Sequence, residues 1–411
     1  MNCRGIFFCN VPVFFVFFIY RNPDVIKQEN TMMIVKWNET DAIDELGAMI
    51  TDVSATFGVK SIMVLSCEKN RYSLDAFNRL LAEAAVPIFG GIFPALIAKN
   101  RLLDRGNIVF GLDEAVSPVM VPELGKPRVN FESLLDELIP HIDPGNTVAV
   151  FVDGFSKRIN AFIESLFTVF GLEVNYVGGG AGSLSMEQEP CLFTNSGVVG
   201  DAAMLVPMGI RSGIGVCHGW QFLKGPFRVT ESDQNTILTL DWRPAFEVYR
   251  EVLTAHLGGA PFENREFYDV AKGFPFGIAR MDNEHIVRDP VSRDENGALV
   301  CVGEVPEGAF VSVLLGDEAS LINAAGRALK MGQDALPQES TTGIHLVMDC
   351  ISRALFLDDR FGLELTALGD GETRVFGACT LGEIANCGHE FIEFYNKTCV
   401  VAVIEETWNQ S

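Results

Sequence analysis

The sequence predicts an α/β protein of two domains, a mixed β-sheet architecture with helices packed on the sheets, built from repeated strand-helix-strand units. Three observations carry this. The chain has 411 residues and is 48% hydrophobic, enough for two cores, because one core rarely grows past about 250 residues. Apolar runs of strand length alternate with segments whose apolar residues recur at helical spacing. A glycine step follows each such pair at a similar distance, which marks one supersecondary unit used repeatedly.

The first segment differs from the rest. Gly5 to Tyr20 is apolar behind a single basic residue, Arg4, and Pro12 interrupts it. A membrane helix needs about 20 such residues, so no membrane partner is expected. A signal peptide would need a small-residue cleavage site, yet Arg21-Asn22-Pro23-Asp24 follows. Met32-Met33 open an ordinary globular sequence, so residues 1–32 are expected to be an apolar extension arising from an early start.

In the first unit, Ser61 to Ser66 is a buried strand and Leu74, Phe77, Leu80, Leu81 and Ala84 share a helix face. Val86 to Phe89 is a second strand, turned by Gly90-Gly91, and Ile108 to Leu112 is a third. The second unit repeats the order. Thr147 to Val152 is the strand, Ile159, Phe162, Ile163, Leu166, Phe167 and Phe170 line the helix, Val174 to Val177 runs into Gly178-Gly179-Gly180, and Val198 to Val206 follows. A looser third unit comprises Ile344 to Met348, a short helical stretch, Leu363 to Leu368, Val375-Phe376-Gly377, and Lys397 to Ile404.

An insert separates the second and third units. Asp241-Trp242-Arg243-Pro244 opens a helix with proline in its first turn, Phe246, Tyr249, Val252, Leu253 and His256 mark its face, and Gly258-Gly259 ends it. Short strands follow at Phe276 to Ala279, Ile286 to Arg288, Ala298 to Val302 and Phe310 to Leu315. Turns at Asp282-Asn283, Asn296-Gly297 and Pro306-Glu307-Gly308 separate them. A boundary near residue 242 divides the chain into an N-terminal domain, 33–242, and a C-terminal domain, 243–405. No linker-type stretch joins them, so an extensive shared interface is expected.

The 31 Lys and Arg residues stand against 54 Asp and Glu, a net charge of −23. Such a surface repels nucleic acid and anionic lipid, so no nucleic-acid partner is expected. Ten cysteines lie mostly inside apolar runs without a Cys-x-x-Cys pair, which suits a reducing cytoplasm. The local group Cys379, Cys387 and His389 lacks zinc-finger spacing, and no metal is expected.

Four arrangements offer chemistry. The Gly178-Gly179-Gly180-Ala181-Gly182-Ser183 segment follows a strand as a phosphate loop would, but it carries neither a dinucleotide fingerprint nor a Walker Gly-Lys pair. Glycine for a tight turn and backbone contact with a ligand both remain open. Asp153 with Ser183 or Ser185 offers the acid and hydroxyl of a hydrolytic site without a Gly-x-Ser-x-Gly elbow, and Cys350 with His345 falls on opposite strand faces. His218, between Cys217 and Gly219-Trp220, has the surroundings of a haem ligand and equally of a buried junction histidine.

The fourth arrangement is the best candidate. Arg353 lies beyond a buried strand, Thr380 and Glu383 lie in the turn after the next strands, and Asn396 and Thr398 open the last strand. Charged residues in apolar sequence must be paired or liganded. An Arg353–Glu383 ion pair and recognition of a ligand bearing carboxylate and ammonium are both open. Arg288 with Asp289 raises the same choice. Cys350, Asp153 and Gly178 to Gly180 complete the candidate ligand-binding set.

Asp349-Cys350-Ile351-Ser352-Arg353, Phe376-Gly377-Ala378-Cys379-Thr380-Leu381-Gly382-Glu383-Ile384-Ala385 and Phe394-Tyr395-Asn396-Lys397-Thr398, in that order, resemble the C-terminal FIST domain. Phe151-Val152-Asp153-Gly154-Phe155-Ser156 with Val177-Gly178-Gly179-Gly180-Ala181-Gly182 resembles the N-terminal FIST half, and Cys217-His218-Gly219-Trp220 through Val229-Thr230 resembles the junction. The resemblance runs from about residue 55 to 404, and it departs at Trp242, where the family pattern has glycine. It implies a stand-alone intracellular sensory protein, not an enzyme, that binds a small ligand such as an amino acid without a cofactor. It also implies output through a separate partner, such as a histidine kinase or cyclase. One branch of the family implies the alternative of a haem-binding nitric-oxide sensor. An enzyme acting on a small molecule is the other alternative.

Overall fold

The computed structural model describes residues 33–138, 146–171, 173–280, 285–337, 341–369, 374–386 and 391–406. The apolar extension, the Asp282-Asn283 turn, Cys387 and His389 lie outside the described residues. The fold is the mixed α/β architecture expected, with the described strands in four sheets and helices packed on them.

Three strand-helix-strand units form as the periodicity requires. Ser61–Cys67 and Ile88–Phe93 run parallel around the helix Leu74–Ala82, whose N-terminus Ser73 caps by accepting from the Ala76 amide. Thr147–Asp153 and Asn175–Ala181 run parallel around Ile159–Phe170. Thr341–Cys350 and Val375–Thr380 run parallel around Ile351–Leu357 and Phe361–Ala367. Parallel pairs need a crossover and bury both faces, hence their continuous apolar runs. The first strand of each unit also pairs with an antiparallel neighbour: Asn107–Leu112, Ala202–Met208 and Cys399–Glu406 respectively.

The structure corrects the reading in several places. The glycines expected to turn the chain lie inside strands: Gly90 and Gly91 in Ile88–Phe93, Gly178 to Gly180 in Asn175–Ala181, and Gly377 in Val375–Thr380. Their physical role is close approach. A Cβ at Gly178 would stand 1.8 Å from the Val150 carbonyl oxygen, and one at Gly180 would stand 2.4 Å from that of Leu381. Val198 to Val206 breaks at Asp201, whose φ of +45° ends the Gly197–Val199 strand before Ala202–Met208 begins. Leu363 to Ala367 falls in the Phe361–Ala367 helix, leaving Leu368 as its C-cap. The insert's helix begins at Ala245, because Asp241-Trp242 instead form the turn between the strands Thr236–Leu240 and Arg243–Pro244. Trp242 holds φ at +64°, the left-handed geometry that glycine adopts freely.

Sequence periodicity missed how the insert closes. The strands Gln221–Asp233, Phe310–Leu315, Phe276–Ile278, Ile286–Arg293, Leu299–Val302 and Thr236–Leu240 follow one another round a barrel, and pairing of the first with the last shuts it. Closure removes exposed edges. Phe246, Tyr249, Phe276, Leu299 and Val313 fill the associated core.

Three sheets are shared across residue 242, the barrel among them, since Gln221–Asp233 pairs with Phe310–Leu315. Ala95–Ala98 pairs with Val375–Thr380, Ser212–Cys217 pairs with Cys399–Glu406, and Glu383–Ala385 pairs with Asn175–Ala181. Hydrogen-bonded sheet therefore joins the two parts of the chain. No helix among the described residues is long and apolar enough to cross a membrane.

Two outcomes follow from this packing. Limited proteolysis will not release two stable halves split near residue 242, as judged by gel and mass spectrometry, because each half would lose central ladder partners. Gly178→Ala will lower stability by about 1–3 kcal/mol or more in chemical denaturation, since its Cβ meets backbone that cannot rotate away.

Candidate functional site

The segments that leave the C-terminal ends of Thr147–Asp153 and Thr341–Cys350 line one cavity of about 730 Å³. Crevices beyond the carboxyl ends of parallel strands are where α/β folds hold ligands. Gly154 to Asn160 forms one wall and Cys350 to Ser352 another, with Leu381-Gly382, Phe394 and Asn396 from the last unit. The barrel contributes Asp289, Val291 and Val300 to Glu304, and the turn Gln234-Asn235 completes the rim. Phe155, Ile159, Val291, Val302, Leu381 and Phe394 make most of the lining apolar.

Its polar groups are buried and held from behind. Asp289 is 2% exposed, and its Oδ2 pairs with Lys397 Nζ at 3.1 Å and accepts from the Tyr268 hydroxyl at 3.2 Å. Burial pushes the Asp289 carboxyl up from its ordinary value, against the pull of Lys397. Lys397 is fully buried, also donates to the Lys272 carbonyl at 2.9 Å, and lies 4.8 Å over the Trp220 ring. Arg288 donates to the carbonyls of Glu304, Val287 and Phe394, and at 3.4 Å to Oδ1 of Asn396. Burial brings the Arg288 guanidinium down to about 10. The Ser352 hydroxyl is a further partner of the Asp289 carboxyl, and Asn396 Nδ2 is buried without a hydrogen-bond partner.

The other candidate residues lie around this cavity in different roles. Arg353 is fully buried and does not pair with Glu383. Its guanidinium meets Glu364 at 2.6 Å and Asp349 at 3.1 Å, and donates to the carbonyls of His218, Lys397 and Leu321. Asp349, Glu364 and Cys399 place ligand atoms within 4.8 Å of one another, and the Arg353 guanidinium already supplies the cation there. Glu383 accepts from the Thr380 hydroxyl at 2.8 Å and the Thr398 amide at 3.2 Å, and burial pushes its carboxyl up to about 8. The Thr398 hydroxyl turns to the Asn396 carbonyl.

Cys350 lines the cavity with its thiol 3.1 Å from the Ser352 hydroxyl, and burial raises its pKa. Asp153 is fully buried under the cavity wall. It accepts from the amides of Phe155 and Asp201 and from Gln188, so it braces the loop after its strand. Ser183 accepts from the Ser185 amide, away from Asp153's partners. Gly178 to Gly180 are strand residues packed on neighbouring backbone, not a ligand-facing loop. His218 is buried, accepts the Trp220 amide on Nδ1, and does not line the cavity. His345 sits near the Leu368 carbonyl, remote from Cys350's partner.

Of the candidates named from sequence, Cys350, Asn396 and Asp289 thus reach the cavity directly, Arg288 holds residues that do, and Arg353 holds Lys397, the partner of Asp289. Lys397, Tyr268 and Ser352 were not singled out. Lys397 carried a signal, a lysine in an apolar strand entry, since a buried ammonium demands a partner; Tyr268 carried none.

Parallel-sheet units sharing strands across the chain's midpoint, joined by a barrel and enclosing a cavity at their meeting point, define an α/β protein of two interlocked modules. Residues 61–243 match the model of the FIST N domain and residues 245–386 that of the FIST C domain, so the chain belongs to the FIST family. FIST domains are signal-transduction sensory domains. Comparison with curated proteins returns no match.

Two tests arise from this arrangement. Arg353→Met will lower stability by roughly 3–5 kcal/mol in denaturant titration, because it strands the buried Asp349 and Glu364 carboxyls. Glu383 is neutral in the fold up to about pH 8 but ionises near 4.5 when unfolded. The folded state therefore holds the extra proton, and stability falls as pH rises across that window. Glu383→Gln will flatten that fall in thermal melts recorded from pH 4.5 to 8.

Proposed function

We propose that this chain is a sensory protein that binds a small molecule in the junction cavity and passes the signal to a separate protein, such as a histidine kinase or cyclase. The observation that carries the reading is the mainly apolar cavity of about 730 Å³ at the ends of two parallel-strand units, with the buried polar residues Asp289 and Asn396 in its wall. A mostly apolar hollow with a few buried polar groups in its wall is the usual form of a small-molecule site.

The cavity's position suits a sensor. Its wall comes from both FIST domains, and Lys397 links its floor to the Lys272 carbonyl and, through its own carbonyl, to Arg353. A ligand that fixes Asp289 or Asn396 thereby biases the packing between the barrel and the shared sheet, which is the two-state element a partner could read. Binding rather than catalysis fits the chemistry, because burial keeps the Cys350 thiol protonated and the carboxylate of Asp153 is engaged by its own loop.

A thermal-shift screen of metabolites tests this. A ligand at a hundredfold excess over Kd stabilises by about 2.7 kcal/mol and raises the melting point. Val291→Phe fills the cavity from the barrel side and will abolish the shift while the protein stays folded. A hit that binds this variant as it binds the original protein would place the site elsewhere.

A further inference from the structure

We infer that the cavity takes an elongated lipophilic molecule, its hydrocarbon body reaching from the buried wall to the exposed side chains of Leu184, Met186 and Leu355 and any charged group staying outside. The inference rests on the cavity being the ligand site and names the chemical class of the ligand.

The wall is apolar from its most buried side chains to its mouth. Phe394, Ile159 and Ile351 are buried, whereas Leu184, Leu355 and Met186 are 38%, 39% and 55% exposed, and all six line the same cavity. Water at such a mouth faces hydrocarbon, and a ligand with an apolar body removes that contact. The segment carrying Leu184 and Met186 is pinned where it stands. The Leu184 amide donates to Glu68 Oε2 at 2.8 Å, the Met186 amide donates to the Ser183 carbonyl at 3.3 Å, and Gln188 donates to Asp153 Oδ2 at 2.8 Å.

The charged groups of the wall find their partners inside the protein. Asp289 meets Lys397, Tyr268 and Ser352. The Arg158 guanidinium donates to the carbonyls of Lys126 and Val129 and lies 4.7 Å over the Phe131 ring, and Glu304 lies near Arg288 and Arg158. Lys157, the other charged residue of the wall among the described residues, is exposed. An ionised group carried inward would lose its hydration and gain no counter-charge. A free amino acid brings two such groups and little apolar surface. The cavity, at about 730 Å³, falls in the range of roughly 300–1,000 Å³ that holds ligands of drug size.

The test uses the full chain and the neutral fluorophore N-phenyl-1-naphthylamine. It is displaced by straight-chain alcohols from butan-1-ol to decan-1-ol and by matched pairs, 3-phenylpropan-1-ol against phenylalanine and hexan-1-ol against norleucine. Affinity is expected to rise about fourfold with each added methylene, the effect of burying one CH₂ group. Each amino acid is expected to need about a hundredfold more than its alcohol, because its charges must shed water. Leu184→Ser combined with Met186→Ser, both at exposed positions, is expected to weaken decan-1-ol about tenfold and to leave butan-1-ol unchanged. A series that does not strengthen with chain length, an amino acid that displaces as well as its alcohol, or no uptake of the fluorophore by the unaltered protein overturns the lipophilic assignment, while the cavity reading stands on the metabolite screen. Undiminished decan-1-ol binding by the double variant overturns the placement of the body at the mouth. Uptake by folded Val291→Phe equal to that of the original protein overturns the cavity as the site and this inference with it. If Val291→Phe does not fold, the double variant decides in its place.

Discussion

A single buried guanidinium sets the geometry of the junction. Arg353 cannot lose its proton, so its donors must find acceptors inside the protein. They find carbonyls at His218, Leu321 and Lys397 and carboxylates at Asp349 and Glu364. Those acceptors belong to the link between Ser212–Cys217 and the barrel, the Glu318–Ala335 helix, the entry to the last strand, the end of Thr341–Cys350 and the Phe361–Ala367 helix. Holding the Lys397 carbonyl fixes where that residue's ammonium goes, and it goes to Asp289. The polar floor of the cavity is therefore determined one step away, by a residue that never touches it.

The three strand-helix-strand units end differently, and the difference explains where the cavity lies. At the end of Ser61–Cys67 the space is filled by the unit's own side chains. The Ser66 hydroxyl donates to Asn107, Asn70 donates to the Gly106 carbonyl, and the Gly106 amide donates back to Asn70. The other two units carry a glycine or a short helix at the same point, Gly154 after Asp153 and Ile351 after Cys350, and their ends stay open. The closed unit still contributes. Glu68, just past its strand, accepts the amide of Leu184 and so holds one edge of the cavity rim.

Much of the fold was legible because burial on both faces writes itself as unbroken apolar runs, as in Thr147 to Val152, and because helix faces such as Ile159 to Phe170 repeat at helical spacing. Pairing was not legible. Nothing local in Ala95–Ala98 says that its partner is Val375–Thr380, and barrel closure depends on Gln221–Asp233, a long strand whose exposed and buried positions alternate irregularly around bulges. Glycines misled for a physical reason: Gly178 and Gly377 serve contact with a neighbouring strand, which looks in sequence like a turn. Within the site, Asn396 and Cys350 stood out by motif and Arg353 by charge. The identity of Arg353's partners needed the fold, because Glu364 and Glu383 are equally plausible on paper and only the first lies within reach.

The shared sheets also bear on how the chain comes into being. The ladder joining Ala95–Ala98 to Val375–Thr380, and that joining Ser212–Cys217 to Cys399–Glu406, connect strands far apart in the chain, Ala98 with Phe376 and Ser212 with Ile404. Contacts so distant in sequence are slow to form and cannot begin until their later strand exists. During synthesis the early strands must wait with unpaired edges until the last strand leaves the ribosome, a period in which strand edges are open to wrong partners. The residues that finish this shared sheet are made long after the strands they pair with, so chaperone protection of the growing chain is part of what this topology demands.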